Sequence, residues 1–164
     1  MSKDEHLCRG KRIDNGEWVT GNYCEIPPPL QAFGEPPSSK IYIFTENPHT
    51  ISDWGMPRNM CLIDVDPDTV GRCTGLRDKM GRYAYEGDII KSHYINAKKA
   101  YHIEYIIFDK GKFMSEIKIS ETGFVRALLA DGIRCLDKAA YMDEFEIIGN
   151  VHDNPELLKV GETE

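Results

Sequence analysis

The sequence contains no long apolar run. A membrane-spanning helix needs roughly 18–20 consecutive apolar residues, and the longest candidate, Tyr105 to Phe108, is far shorter. Residues 1–12 are polar and charged and hold no apolar h-region, so they do not read as a signal peptide. Both absences lead to the expectation of a cytoplasmic chain that does not enter a membrane. The basic excess usual for a nucleic-acid binder is missing too. Lys and Arg number 20 against 27 Asp and Glu, a formal net charge of −7.

Close ligand pairs are also lacking. The five cysteines, Cys8, Cys24, Cys61, Cys73 and Cys135, are odd in number and scattered, with no CxxC among them. That is a poor disulfide framework and a poor zinc site. Reduced thiols are expected, with no metal and no cofactor. The histidines, His6, His49, His93, His102 and His152, form no HxH or HExxH. A GxSxG nucleophile elbow is absent. Gly71 to Gly75 lacks the lysine a phosphate-binding loop requires.

What is present is an ordinary globular composition in 164 residues, 41% hydrophobic and 29% charged. Such a chain can bury a core without staples. Its apolar runs are short and turn residues are frequent, the rhythm of an all-β protein built mainly from antiparallel hairpins, with at most short helical turns. Asp14-Asn15-Gly16-Glu17 predicts a tight hairpin turn, with Trp18 to Cys24 leaving it as a strand. Residues 25–40 hold Pro27, Pro28, Pro29, Pro36 and Pro37 and read as a loop, since proline gives no N–H to a ladder. Strands are expected at Ile41 to Thr45 and Cys61 to Val65, with Asn47 to Arg58 as loop. Pro67 is expected to interrupt the chain before it resumes at Thr69 to Leu76. Glycines at positive φ are expected in two turns, at Gly81 and Gly87.

Beyond these turns, Ile89 to Ile95, Tyr101 to Phe108, Phe113 to Ile119 and Phe145 to Val151 read as strands. The second and third of these should pair antiparallel. Gly123 to Met142 is ambiguous between strand and short helix, with a helical turn near Asp137 to Tyr141. Asn154 is expected to cap a helical turn opened by Pro155.

The chemistry-bearing groups admit ordinary readings. Glu86, Asp88, Glu146 and Asp153 could gather as a metal or acid–base cluster, but carboxylates flanking a turn glycine normally accept local N–H groups. His93 and His102 could face each other across a hairpin, and exposed strand histidines explain them as well. The basic stretch Arg72, Arg77, Lys79, Arg82, Lys91, Lys98 and Lys99 is interleaved with Tyr83, Tyr85 and Tyr94. Arg77, Lys79, Arg82, Tyr83, Tyr85 and Lys91 are therefore the candidate surface for a partner or for stacked nucleic-acid bases. A solvated turn is the plainer reading, given the acidic whole.

Three segments carry a resemblance to a known family. The first is Gly10-Lys11-Arg12 with Asn15-Gly16-Glu17-Trp18-Val19 and Gly21. The second runs from Val65-Asp66-Pro67 through Thr69-Val70-Gly71, Thr74-Gly75-Leu76, Asp78-Lys79 and Gly81 to Tyr85-Glu86-Gly87-Asp88-Ile89-Ile90-Lys91. The third is Glu146-Ile147-Ile148-Gly149-Asn150-Val151-His152-Asp153-Asn154-Pro155-Glu156-Leu157-Leu158. In this order they resemble the YopX family, departing from its pattern at Arg72-Cys73 and at Met80. The resemblance implies a phage or prophage origin, hence a bacterial host cell, and transfers no catalytic residue.

The expected architecture is an N-terminal β lobe over residues 1–76, containing the 25–40 loop, and a C-terminal lobe over 77–164. The second lobe is expected to resemble an SH3-like small barrel, the two together forming one interlocked domain. The expected role is a non-enzymatic binding or assembly protein, with a protein partner or further copies of itself as a homo-oligomer. A nucleic-acid-binding barrel is the alternative, and an enzyme of unrecognised type the third.

Overall fold

The computed structural model describes residues 6–29, 33–34, 38–46, 59–94, 97–118, 124–128 and 145–158. The described chain is all-β. Its strands are β1 Leu7–Arg12, β2 Trp18–Ile26, β3 Lys40–Glu46, β4 Met60–Arg77, β5 Tyr83–Tyr85, β6 Asp88–Tyr94, β7 Ala97–Asp109, β8 Lys112–Lys118, β9 Phe124–Leu128 and β10 Phe145–Asn150. One 3₁₀ turn follows at Pro155–Leu158. Two compact units divide between Arg72 and Cys73.

In the first unit every pairing is antiparallel. β1 lies against β2, with Cys8 opposite Gly21. β2 lies against β3, with Asn22 opposite Phe44. β3 takes the start of β4, with Phe44 opposite Leu62. β4 then continues onto β1, placing Val65 opposite Arg12 and Arg72 opposite Cys8. Four strands thus close a ring of pairings. Since alternate residues of a strand face opposite sides, one set points inward. Cys8, Ile43 and Val65 form that core, with Val19, Ile41, Ile63 and Val70 packed around it. Gly21 is where the ring is tightest. A Cβ there would stand 2.4 Å from the Phe44 carbonyl oxygen and 2.8 Å from Ile43 Cγ2.

Pro67 does not interrupt the strand as expected. β4 runs through it as a bulge, in which Arg9 to Lys11 of β1 spans Asp66 to Gly71 of β4. A bulge relieves proline of ladder duty. Thr69 closes it: its hydroxyl donates to the Asp66 carbonyl at 2.7 Å and accepts the Lys11 N–H at 2.9 Å. The first hairpin also differs from a two-residue turn. The Gly16 N–H donates to the Arg12 carbonyl, so the loop is wider, and of the Asn-Gly pair Gly16 alone takes a positive φ, 73°. The Arg12 guanidinium grips Asp14 across this loop at 2.6 Å, and the hydrogen bond holds the Asp14 carboxyl below its usual range.

The second unit holds a five-stranded antiparallel sheet in the order β10-β6-β7-β8-β9. β7 and β8 pair as expected, with Phe108 opposite Phe113 and Asp109 opposite Lys112. Lys110 (φ 49°) and Gly111 (φ 80°) make the tight turn between them, the two positive φ angles that match the twist of a two-residue hairpin. Ala84, Ile90, Ile106 and Phe145 form the core, with Leu76, Phe113 and Ile147 packed on it. Cys73 to Arg77, the end of β4, pairs with β5.

In the half expected to form a small barrel, no pairing among the described residues joins β9 to β10. The closed ring lies instead in the first unit, where β4 is long enough to serve two neighbours. In the ambiguous 123–142 stretch, Phe124–Leu128 is a strand paired with β8. The remainder, including the helical turn near 137–141, lies outside the described residues, as does the loop at 47–58. Asn154 does not cap the 3₁₀ turn with its side chain. Its carbonyl accepts the Leu157 N–H, while its side-chain oxygen faces the Asn150 N–H at 3.4 Å. That side chain fills the space beside Gly149, where a Cβ would meet it at 2.6 Å.

Candidate functional site

The turn between β4 and β5 holds two of the basic candidates, Lys79 and Arg82, with Arg77 at the end of β4, and a carboxylate organises it. Asp78 begins a polar reversal, and its short side chain folds back onto the amides that follow, as aspartate does in turns. Its oxygens accept the N–H groups of Met80 and Arg82 at 2.9 Å and the Arg82 Nε–H at 2.8 Å. The Ile147 N–H reaches it at 3.4 Å. Burial pushes this carboxyl up, but the bonds from the Arg82 side chain and from the amides of Arg82, Ile147 and Met80 outweigh it and leave it below the usual range. Gly81, at φ 80°, allows the chain to reverse.

The basic side chains are engaged around this centre. The Arg82 guanidinium also donates to the Ile147 carbonyl at 2.8 Å. Lys79 Nζ pairs with Glu146 at 2.6 Å, which lowers the Glu146 carboxyl. Arg77 donates to the Gly81 carbonyl and lies over the Tyr83 ring at 3.6 Å. Lys91 lies on β6 opposite Glu146, over the Tyr101 ring at 3.9 Å. Tyr85 is only 7% exposed and belongs to the interior. The structure therefore brings Arg77, Lys79, Arg82 and Tyr83 together, places Lys91 opposite Glu146 on the neighbouring strand and withdraws Tyr85 from any stacking surface. The side chains of Tyr94, Lys98 and Lys99 lie outside the described residues.

The carboxylates do not gather. Asp88 is buried and accepts the Tyr85 N–H at 2.8 Å, Asp153 accepts from the Asn150 side chain, and Glu146 serves Lys79. Among the described residues, no group of three or more His, Cys, Asp or Glu is placed to hold a metal ion. His93 and His102 are one step out of register, since His93 lies opposite Tyr101 and His102 opposite Ser92. Glu104 is a further buried carboxyl, 1% exposed. One oxygen accepts the Ser92 hydroxyl at 2.9 Å, and the other finds no partner among the described residues. Its burial closes it to a dissolved substrate.

The YopX protein family model matches residues 39–159 of this sequence. The chain belongs to the YopX family. No curated protein matches it. Within the YopX match lie the Asp78 turn, Glu86-Gly87-Asp88 and β10. The Gly10 to Gly21 segment precedes it, although β1 and β2 supply half of the ring in the first unit. Among the described residues of this YopX protein, no helix is long and apolar enough to cross a membrane.

Sequence reasoning missed a feature of the first unit. Because cross-strand partners share a face, the register puts Phe44 and Leu62 side by side on the face opposite the core, with Met60 one step along β4. Ile26 lies on the same face of β2. Their exposures are 38% for Phe44, 44% for Leu62, 48% for Met60 and 42% for Ile26. The signal was available in β3. Lys40-Ile41-Tyr42-Ile43-Phe44 is apolar at both parities, whereas a strand with one solvated face should alternate.

Proposed function

We propose that this YopX protein is a non-enzymatic binding or assembly protein of a phage or prophage, working through protein contacts in the cytoplasm of a bacterial host. The observation that carries the reading is the outward apolar patch of Phe44 on β3 with Leu62 and Met60 on β4. Exposed apolar side chains that adjoin one another across strands are the usual mark of a protein-contact surface. The nucleic-acid alternative is less well supported, because Arg82 and Lys79 are committed to neighbours and Tyr85 is buried. An enzymatic role has no open constellation of groups among the described residues to rest on.

A comparison of wild type with a Phe44→Ser, Leu62→Ser variant tests the reading. Both should show the same circular dichroism and melting behaviour, since these side chains lie outside the core. The variant should lose the association that the wild type shows, with itself in light scattering or with proteins captured from induced host cells. Unchanged association would sink the reading, as would submicromolar nucleic-acid affinity with a steep salt slope.

A further inference from the structure

We infer that Asn15 is a self-modification site, whose deamidation the folded hairpin loop holds back and the opened loop releases. Asn15-Gly16 is the one Asn-Gly pair in the 164 residues. Asparagine is a chemically labile residue, and a following glycine leaves the attacking backbone nitrogen unshielded. Both residues are exposed. A Cβ at Gly16 would meet nothing closer than Lys11 Cε at 3.8 Å. By access alone, this amide should be lost quickly.

In the reaction the Gly16 N–H gives its proton to a solvent base, and the nitrogen bonds to Asn15 Cγ. The Cγ–Nδ2 bond breaks, and ammonia leaves with a proton taken from water. Water then opens the succinimide at either carbonyl, leaving aspartate or isoaspartate at position 15. The loop engages each group that has to change. The Gly16 N–H is donated to the Arg12 carbonyl at 3.0 Å. Asn15 Oδ1 accepts the Glu17 N–H at 3.0 Å, and Nδ2 donates to Glu17 Oε2 at 2.9 Å. Ring closure makes Cγ tetrahedral, which strains both of these bonds. The ends of the loop are held as well, by the Arg12 N–H on the Glu17 carbonyl at 2.9 Å and by the Arg12–Asp14 ion pair at 2.6 Å. Exposed loop bonds open locally without global unfolding, and the reaction proceeds from the open form. Refolding does not undo it. Isoaspartate adds a carbon to the backbone, which takes the Gly16 N–H out of register with Arg12. Either product sets a third carboxylate beside Asp14 and Glu17. The modification therefore marks chains whose first hairpin has opened, and it is independent of the apolar patch on β3 and β4.

The test is peptide mapping by mass spectrometry, following conversion at position 15 over time in mildly alkaline buffer. The full chain is compared folded and unfolded in guanidinium chloride. The folded chain should convert slower by about tenfold or more, the factor set by the free energy of local opening. A folded Glu17→Ala variant, which removes the acceptor of Nδ2, should convert several-fold faster than wild type. Glu17→Gln keeps an acceptor oxygen there and should stay near the wild-type rate. Equal rates in the folded and unfolded chain overturn the inference. So does a folded Glu17→Ala variant that converts no faster than wild type. Should Glu17→Ala not fold, the wild-type comparison and Glu17→Gln decide, and a folded Glu17→Gln variant converting as fast as the unfolded chain counts against the inference.

Discussion

Asp78 shows how much one carboxylate can organise. It is buried, yet its oxygens are met by three backbone amides and one guanidinium. Burial opposes its charge and the donors favour it, and the donors win. A carboxyl lowered in the folded state stabilises fully above its ordinary value of about 4, and that contribution is lost as the pH falls through the lowered one. Asp78→Asn should therefore destabilise the protein by about 1–3 kcal/mol at pH 7, given that Arg82 is half in water. The difference from wild type should shrink below about pH 4. Urea denaturation at pH 7 and pH 3 reads both. A variant as stable as wild type at pH 7 would show that the turn does not depend on this charge.

At the level of strands, closure of the first unit depends on the length of β4 and on small residues inside the ring. Gly21→Ala would drive a Cβ into the Phe44 carbonyl, and backbone cannot move aside as a side-chain tip can. The expected loss is about 2 kcal/mol or more, read from thermal melts beside Gly16→Ala. At Gly16 a Cβ would make only an ordinary contact with Lys11 Cε at 3.8 Å, and only the positive φ of 73° is strained, for about 1 kcal/mol. Equal losses would mean that Gly21 matters for its conformation and not for its room.

The same elements show what was legible in the sequence. Tyr101 to Phe108 and Phe113 to Ile119 announced a hairpin through β-branched and aromatic residues, and the pairing follows. Gly81 and Gly87 announced positive φ, and both have it. The ring closure was not legible, because Pro67 reads locally as a stop and only the pairing with β1 makes it a bulge. The acceptors of Lys79 and Arg82 on β10 were hidden for the same reason. They lie some 65 residues away along the chain, and no local pattern joins them.

For the molecule as a whole, family membership and the all-β fold stand on the chain match and the strand pairings, and the proposed role stands on an apolar face turned outward. The most direct test of that role is photo-crosslinking in induced host cells, with a photoreactive amino acid at position 62 and a control at Asn15 on the exposed hairpin loop. The role calls for a discrete protein crosslink from position 62, to a second copy or to another protein, and none of comparable yield from position 15. Crosslinks from position 62 to nucleic acid alone, or the same diffuse pattern from both positions, would contradict it.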